Sequence, residues 1–278
     1  MNASPVRIAI NGAAGRMGRQ LLSAIAERNQ ASLVGAIDAP GSEAIGCDTS
    51  ILSGGDKQGI SVVDSITTLT ASTDIDVIID FTAPGVTLKM LEQLEGNDVA
   101  VVIGTTGFDD AQLATLKTAA KTRPIVFAPN YSIGVTVSLA LLQQAAKALG
   151  DDYDVEVLEA HHRHKVDAPS GTALAMGAAV ADALNRDLKT CAVYGREGIT
   201  GARDQQTIGF ATVRAGDIIG EHTVLFAGNG ERLEITHKAT DRMTFSRGAV
   251  QAALWLNSQA PGIYDMTHVL GLAKQEIS

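Results

Sequence analysis

The chain has 278 residues, 45% of them hydrophobic and 4% aromatic, which suits one large or two smaller globular domains with aliphatic cores. A formal net charge of −9 argues against a general nucleic-acid or membrane-surface binder, because both need a broad basic field. Two cysteines, Cys47 and Cys191, argue against a disulfide framework and fit a reducing, cytoplasmic setting.

The N-terminus, MNASPVRIAI, lacks the charged region and long apolar run of a signal peptide, and no apolar stretch reads as long enough to span a bilayer. VRIAI (6–10) predicts a strand, 16–29 a helix and SLVGAID (32–38) a second strand. Residues 39–61, with PGSEAIG and SGGDKQG, read as a long mobile loop or insertion. VIIDF (77–81), VAVVIG (99–104) and PIVFA (124–128) predict further strands, with helices over 84–95 and 109–121. Strands apolar on both faces and separated by helices point to a parallel sheet covered on both sides.

The pattern changes after Asn130. A long apolar helix over 132–149 precedes a strand over 153–161, and a helix follows at 171–186. Residues 207–239 read as an antiparallel meander, with turns at Ala215-Gly216-Asp217 and Gly228-Asn229-Gly230. A last helical segment, 243–257, resembles the first half again. An α/β domain interrupted by an α+β domain follows, with the chain returning near Thr240 to Met243.

The first strand runs into NGAAGRMG, with glycines at 12, 15 and 18. A glycine-rich turn between a parallel strand and a helix lets a pyrophosphate approach the backbone and face the helix dipole. The G-x-x-G-x-x-G spacing alone also fits an ordinary β–α turn; Asp38, ending the second strand, adds a carboxylate suited to a ribose diol. That carboxylate would repel a 2′-phosphate, and Ala39-Pro40 supplies no cation to offset it, so NADH use or dual use is expected. GTTG (104–107) and APNYS (128–132) close later strands and are expected at the same sheet edge, with Thr105 and Thr106 offering hydroxyls. Capping of the next helix is an equally available role for those threonines.

EAHHRHKVDAPSGTALAMG (159–177) packs three histidines, an arginine and a lysine into five positions. If the strand continued through them, His161, Arg163 and Lys165 would share one face and His162 and His164 the other. Zinc could use His162 and His164, but Arg163 and Lys165 would repel a cation, and a merely solvated basic patch is a second alternative. A third uses every residue: His161 and His162 exchange protons near neutrality, Lys165 is an acid favoured by cationic neighbours, and Arg163 attracts anions. Ser170 then reads as an N-cap, with Gly171 and Thr172 in a first helical turn suited to a carboxylate.

NGAAGRMG, DFT (80–82), GTTGF (104–108), NYSIGV (130–135), EAHHRHKVDAPSGTA (159–173) and IGFATVRAGDIIGEH (208–222) together resemble the 4-hydroxy-tetrahydrodipicolinate reductases, formerly dihydrodipicolinate reductases, of bacterial diaminopimelate and L-lysine synthesis. The likeness spans nearly the whole chain. It implies a Rossmann-like parallel-sheet domain, discontinuous over 1–130 and 241–278. An α+β substrate-binding and oligomerisation domain with a largely antiparallel, mixed sheet would occupy 131–240. It also implies an NAD(P)H-dependent oxidoreductase that works on a small dicarboxylate as a homotetramer, without a metal, nucleic-acid partner or membrane. Loss of water from the substrate gives a conjugated cyclic imine, which accepts hydride and then a proton. By the same resemblance His161 is the proton donor/acceptor and Lys165 the second donor, while His162, Gly171 and Thr172 bind substrate. The cofactor positions are Gly12, Ala13, Ala14, Gly15, Arg16, Met17, Asp38, Gly104, Thr105, Thr106, Ala128, Pro129, Asn130 and Tyr131. One departure is Ala39, where some members that use NADPH well carry a basic residue. The rival reading is another two-domain dehydrogenase of a small carboxylate substrate.

Overall fold

The structure, a computed structural model, describes residues 4–54 and 56–273. The chain enters through β1 (Val6–Asn11), α1 (Arg16–Ala26), β2 (Ala31–Ile37), α2 (Ser50–Ser53), β3 (Val62–Val63) and α3 (Ile66–Ser72). It continues through β4 (Val77–Asp80), α4 (Pro84–Gln93), β5 (Ala100–Ile103), α5 (Asp110–Ala119) and β6 (Pro124–Phe127). Then come α6 (Ile133–Leu149), β7 (Asp154–His161), α7 (Gly171–Ala183), α8 (Leu188–Cys191), β8 (Ala192–Tyr194), β9 (Ile208–Arg214), β10 (Gly220–Ala227) and β11 (Arg232–Ala239). α9 (Met243–Leu256), β12 (Gly262–Tyr264) and α10 (Met266–Val269) are the last elements among the described residues. Two compact units result: one runs to Ile133 and resumes at Met243, and the other spans Gly134–Arg242.

In the first unit seven parallel strands lie in the order β12-β6-β5-β4-β1-β2-β3. Neighbouring residues of one strand serve different cores. Ile8, Ile10, Ile79 and Val102 pack with Leu21 and Ile25 of α1 and Val250 of α9. Ala9, Ile78 and Val101 pack on the opposite face with Leu69, Met90 and Leu116 of α3, α4 and α5. This double burial is why the strands read as unbroken apolar runs. Helix starts follow local chemistry: Pro84 opens α4, and Asp109 with Gln112 forms a capping box on α5.

Residues 39–61 are more built than a loose insertion. They hold α2, and the Asp48 carboxylate accepts main-chain N–H bonds from Ser50 (3.0 Å), Gln58 (3.2 Å) and Gly59 (2.7 Å). The Ser50 side chain first, and then these main-chain bonds, hold Asp48 well below the usual carboxylate range. The segments β3, α3, β8, α8, β12 and α10 are short and carry little periodic signal, so the sequence pattern did not mark them.

The second unit holds a five-stranded sheet in the order β11-β10-β7-β9-β8. β10 runs antiparallel to β7 and β11, but β9 runs parallel to β7 and β8. The expected meander is therefore corrected: β9 and β10 are not partners but flank β7. The turn at Ala215-Gly216 instead crosses the end of β7, where Ala215 N–H bonds His161 C=O at 2.8 Å and Arg163 N–H bonds Gly216 C=O at 3.2 Å. The hairpin between β10 and β11 does form, with Ala227 opposite Arg232. One sheet face presents Val155, Val157, Phe210, Val224 and Phe226 to Leu142 and Ala146 of α6 and Met176 and Val180 of α7. α7 lies close because Gly177 has no side chain; a Cβ there would come within 2.5 Å of the Phe210 ring.

α6 and the 3-10 turn after it (Gly150–Asp152) make a 20-residue segment with an 18-residue window of mean hydropathy 1.2, long and apolar enough to cross a bilayer by length and composition. That corrects the expectation that no such stretch exists. Here its Leu142 and Ala146 are core residues of the five-stranded sheet.

Candidate active site

The C-terminal ends of parallel strands share one sheet edge, and β1, β2, β5 and β6 deliver to it all the residues expected around a cofactor. Gly12 follows β1 at φ +78°, and a Cβ there would stand 2.7 Å from the Thr82 methyl group. Gly18 sits against the turn so closely that a Cβ would lie 2.2 Å from Gly12 O. Gly15 is the N-cap of α1, with no side-chain cap and no acid in the first turn, so the positive end of the helix is left for an anion. The Asp38 carboxylate accepts from Ala14 N–H at 2.6 Å and Ala39 N–H at 2.7 Å, tying the end of β2 to the glycine turn. Arg16 is exposed and Met17 half-buried beside it.

Several of these residues have no side chain to offer a ligand. Ala13 and Ala128 are core residues. Tyr131 is 1% exposed, and its hydroxyl donates to Ile103 C=O at 2.8 Å. The Thr105 hydroxyl, expected to face a ligand, is 2% exposed and committed elsewhere: it donates to Asp80 at 3.0 Å and accepts from Thr82 N–H at 2.9 Å. These positions can contact a ligand only through main chain. Thr106 and Pro129 are exposed, and Gly104 and Asn130 are half-buried.

Asp80, at the end of β4, joins the loops. It is fully buried and accepts from Asn11 Nδ2 (2.7 Å), Thr82 Oγ1 (2.8 Å), Thr105 Oγ1 (3.0 Å) and Thr87 Oγ1. Burial pushes its carboxyl up, against the opposing pull of these four donors.

In the second unit the strand stops at His161, and residues 163–164 turn. The alternation expected through Lys165 is therefore not realised, because the bonds from Arg163 to Gly216 and from Lys165 N–H to His162 C=O fold the segment back. His161 is 7% exposed, and its Nδ1 meets Glu159 Oε2 at 2.5 Å. Arg214 grips the same carboxylate with both terminal nitrogens, at 2.8 and 2.9 Å. Glu159 also accepts from the main-chain N–H of Ser170 at 3.1 Å. Burial pushes the Glu159 carboxyl up, but Arg214 and His161 more than reverse this and hold it below its ordinary value. Burial lowers His161, with Glu159 opposing and Lys165 and Arg214 adding to the fall.

Lys165 Nζ lies 2.8 Å from the Asp167 carboxylate, an anionic partner absent from the expected set of cationic neighbours. That bond holds Asp167 below the usual carboxylate range. Ser170 caps α7 as expected, its Oγ accepting from Ala173 N–H at 3.1 Å. Its hydroxyl proton is then available to His222 Nε2 at 2.9 Å, and the His222 ring stands edge-on to His161 with centroids 5.0 Å apart. Gly171 opens α7 with clear space around its Cα, and Thr172 is half-buried beside it. His162 is half-buried, while Arg163 and His164 are exposed. No group of three metal-ligating side chains occurs among the described residues.

Glu159, Arg214, His222 and Asp80 had no role assigned from the sequence. Glu159 had a signal, since it stands two residues before His161 on the same strand face. Arg214 and His222 had none, because they meet the histidine only through the β9-β7-β10 pairing.

A glycine-turn nucleotide sheet joined to a mixed sheet carrying a carboxylate-held histidine is the build of a pyridine-nucleotide oxidoreductase. Comparison with known proteins narrows the class. Family models described as dihydrodipicolinate reductase, N-terminus and C-terminus, match residues 6–131 and 134–270. Curated proteins named 4-hydroxy-tetrahydrodipicolinate reductase are 59% identical in Alkalilimnicola ehrlichii and 58% in Hahella chejuensis, each over 96% of this chain and 99% of the relative. A solved dipicolinate-bound dihydrodipicolinate reductase from Paenisporosarcina sp. TG-14 shares the fold, with a TM-score of 0.73 at 24% identity over 94% of this chain and 97% of that one. The chain belongs to the dihydrodipicolinate reductase family.

Proposed function

We propose that the protein reduces 4-hydroxy-tetrahydrodipicolinate, through its dehydrated cyclic imine, to tetrahydrodipicolinate with NADH or NADPH in the diaminopimelate route to L-lysine. The observation that carries this reading is the Glu159–His161 pair beside Lys165 and the start of α7, in a chain so similar to the named reductases. The first unit fits a dinucleotide: the Gly12 to Met17 turn and the uncapped α1 suit a pyrophosphate, and Asp38 suits a ribose diol. When bound, the reduced nicotinamide supplies the hydride.

The chain's own residues supply the proton and hold the charge. With Nδ1 facing Glu159, the working atom of His161 is Nε2, beside which Gly220 leaves room. Burial lowers the proton affinity of His161 in the free protein, against the pull of Glu159. A dicarboxylate arriving beside it adds negative charge that favours protonation, and Lys165 is the second donor on the same segment. The start of α7 at Gly171 and Thr172, with His162, holds a substrate carboxylate.

Asp38 faces an uncharged Ala39, so NADH is preferred or both cofactors are used. The outer face of the five-stranded sheet exposes Leu158 (43%) and Val213 (51%), which suits burial in a homotetramer. The two free cysteines suit a cytoplasmic setting. The test is oxidation of NADH or NADPH driven by freshly made 4-hydroxy-tetrahydrodipicolinate. Turnover is expected, and none with either cofactor would overturn the reading.

A further inference from the structure

We propose that Glu159 is a positioning residue that fixes the tautomer of His161 and couples it to the anion-binding start of α7. This rests on the assignment of His161 as the acid–base group. Glu159 does not reach solvent: its side chain is 1% exposed, so it has no role as a surface carboxylate. Both of its oxygens are used. Oε2 takes His161 Nδ1 and one Arg214 nitrogen, and Oε1 takes the other Arg214 nitrogen, the main-chain N–H of Ser170 and the Thr212 hydroxyl. Ser170 is the N-cap of α7, so one carboxylate links the proton-transfer ring and the helix start proposed to hold substrate.

The pairing dictates a chemical state. An ionised carboxylate only accepts, so the neutral imidazole must carry its proton on Nδ1, and Nε2 is left with its lone pair. Arg214 keeps Glu159 ionised; without it the buried acid would compete for the same proton. The charged and titratable groups facing His161 are Glu159 on its own strand, Lys165 in the next loop, Arg214 on β9 and His222 on β10. Glu159 is the sole anion among them. Loss of Glu159 and loss of Arg214 must therefore move His161 in opposite directions, which a purely structural role would not do.

The experiment is NMR of the histidine side chains over a pH series in the whole protein, with His161 assigned from the spectrum of His161→Gln. Wild type should show His161 protonated on Nδ1 when neutral. Glu159→Gln should lower the pKa of His161 and abolish the single tautomer, while Arg214→Gln should raise it. In the turnover assay Glu159→Gln should cost on the order of 100-fold in kcat with the Kd for NADH within about twofold, as for a misplaced catalytic group. An unchanged tautomer and pKa in Glu159→Gln, or shifts of the same sign in both variants, would overturn the proposal. If the wild type shows no turnover but the NMR shifts appear, the substrate assignment fails while the positioning role stands. Should Glu159→Gln not fold, the wild-type spectrum decides: a neutral His161 protonated on Nε2 would overturn the proposal.

Discussion

Two buried carboxylates sit at strand ends in this molecule, and their partners differ in kind. Asp80 is surrounded by neutral donors, an asparagine and three threonines, whereas Glu159 is held by an arginine and a histidine. Neutral donors satisfy Asp80 without balancing its charge, so burial wins and its carboxyl is pushed up. Cationic partners win at Glu159, whose carboxyl is held down. The first arrangement builds a frame, joining the loops after β1, β4 and β5. The second sets the protonation state of the group beside it. Similar burial thus serves architecture in one unit and chemistry in the other.

The largest expected effect would break the frame. Asp80→Ala removes the acceptor shared by four donors, of which Thr87 keeps Ala83 C=O, and should cost about 3 kcal/mol of stability in the first unit, summing partial penalties for the buried groups left unmet. Denaturant unfolding should show this loss and NADH titration a weaker affinity with it; a variant of wild-type stability would show that Asp80 is not a frame. Lys165→Ala should do the reverse, lowering kcat by about 10²–10⁴-fold while leaving Tm and the Kd for NADH nearly unchanged. Equal loss of NADH affinity would show that Lys165 belongs to the cofactor site.

The histidine beyond His161 sharpens the comparison through pH. Burial lowers His222 from 6.5 to about 4, with the His161 charge adding and Glu159 opposing. Unfolded chain takes up the proton first as pH falls, so this stability is complete above pH 6.5 and lost on the way down to about 4. The loss amounts to about 3 kcal/mol, and Tm against pH should be flatter in His222→Gln than in wild type. The carboxyls themselves should answer acid in opposite senses. Glu159 contributes stability that disappears as pH falls below the ordinary glutamate range, while protonation of Asp80 relieves a cost that appears as pH rises. The smallest effect expected is in cofactor choice: placing a cation with Ala39→Arg should shift kcat/KM toward NADPH by about tenfold, one favourable charge contact of about 1.4 kcal/mol. No shift would show that Asp38 does not face the adenosine ribose.

Long, strongly patterned elements were legible from sequence because their residues obey local rules. The parallel strands betrayed themselves by apolar runs, and α7 by Ser170 at its cap. Less legible was anything decided by which strand pairs with which. A meander is the default for short strands joined by glycine turns, yet α7 lets the chain cross over, and β9 joins β7 in parallel. The two threonines after β5 show the same limit: adjacent and alike in sequence, one is sealed against Asp80 and the other is exposed.

The sequence by itself determined the glycine turn, the acid at Asp38, and the order of acid–base residues followed by a helix start, because each is a matter of spacing along the chain. Only the tertiary structure decided that Arg214 and His222 join His161, and that Glu159 is its partner. Those meetings come from strand register across the sheet, and register is set by the burial of whole faces, not by neighbours in sequence.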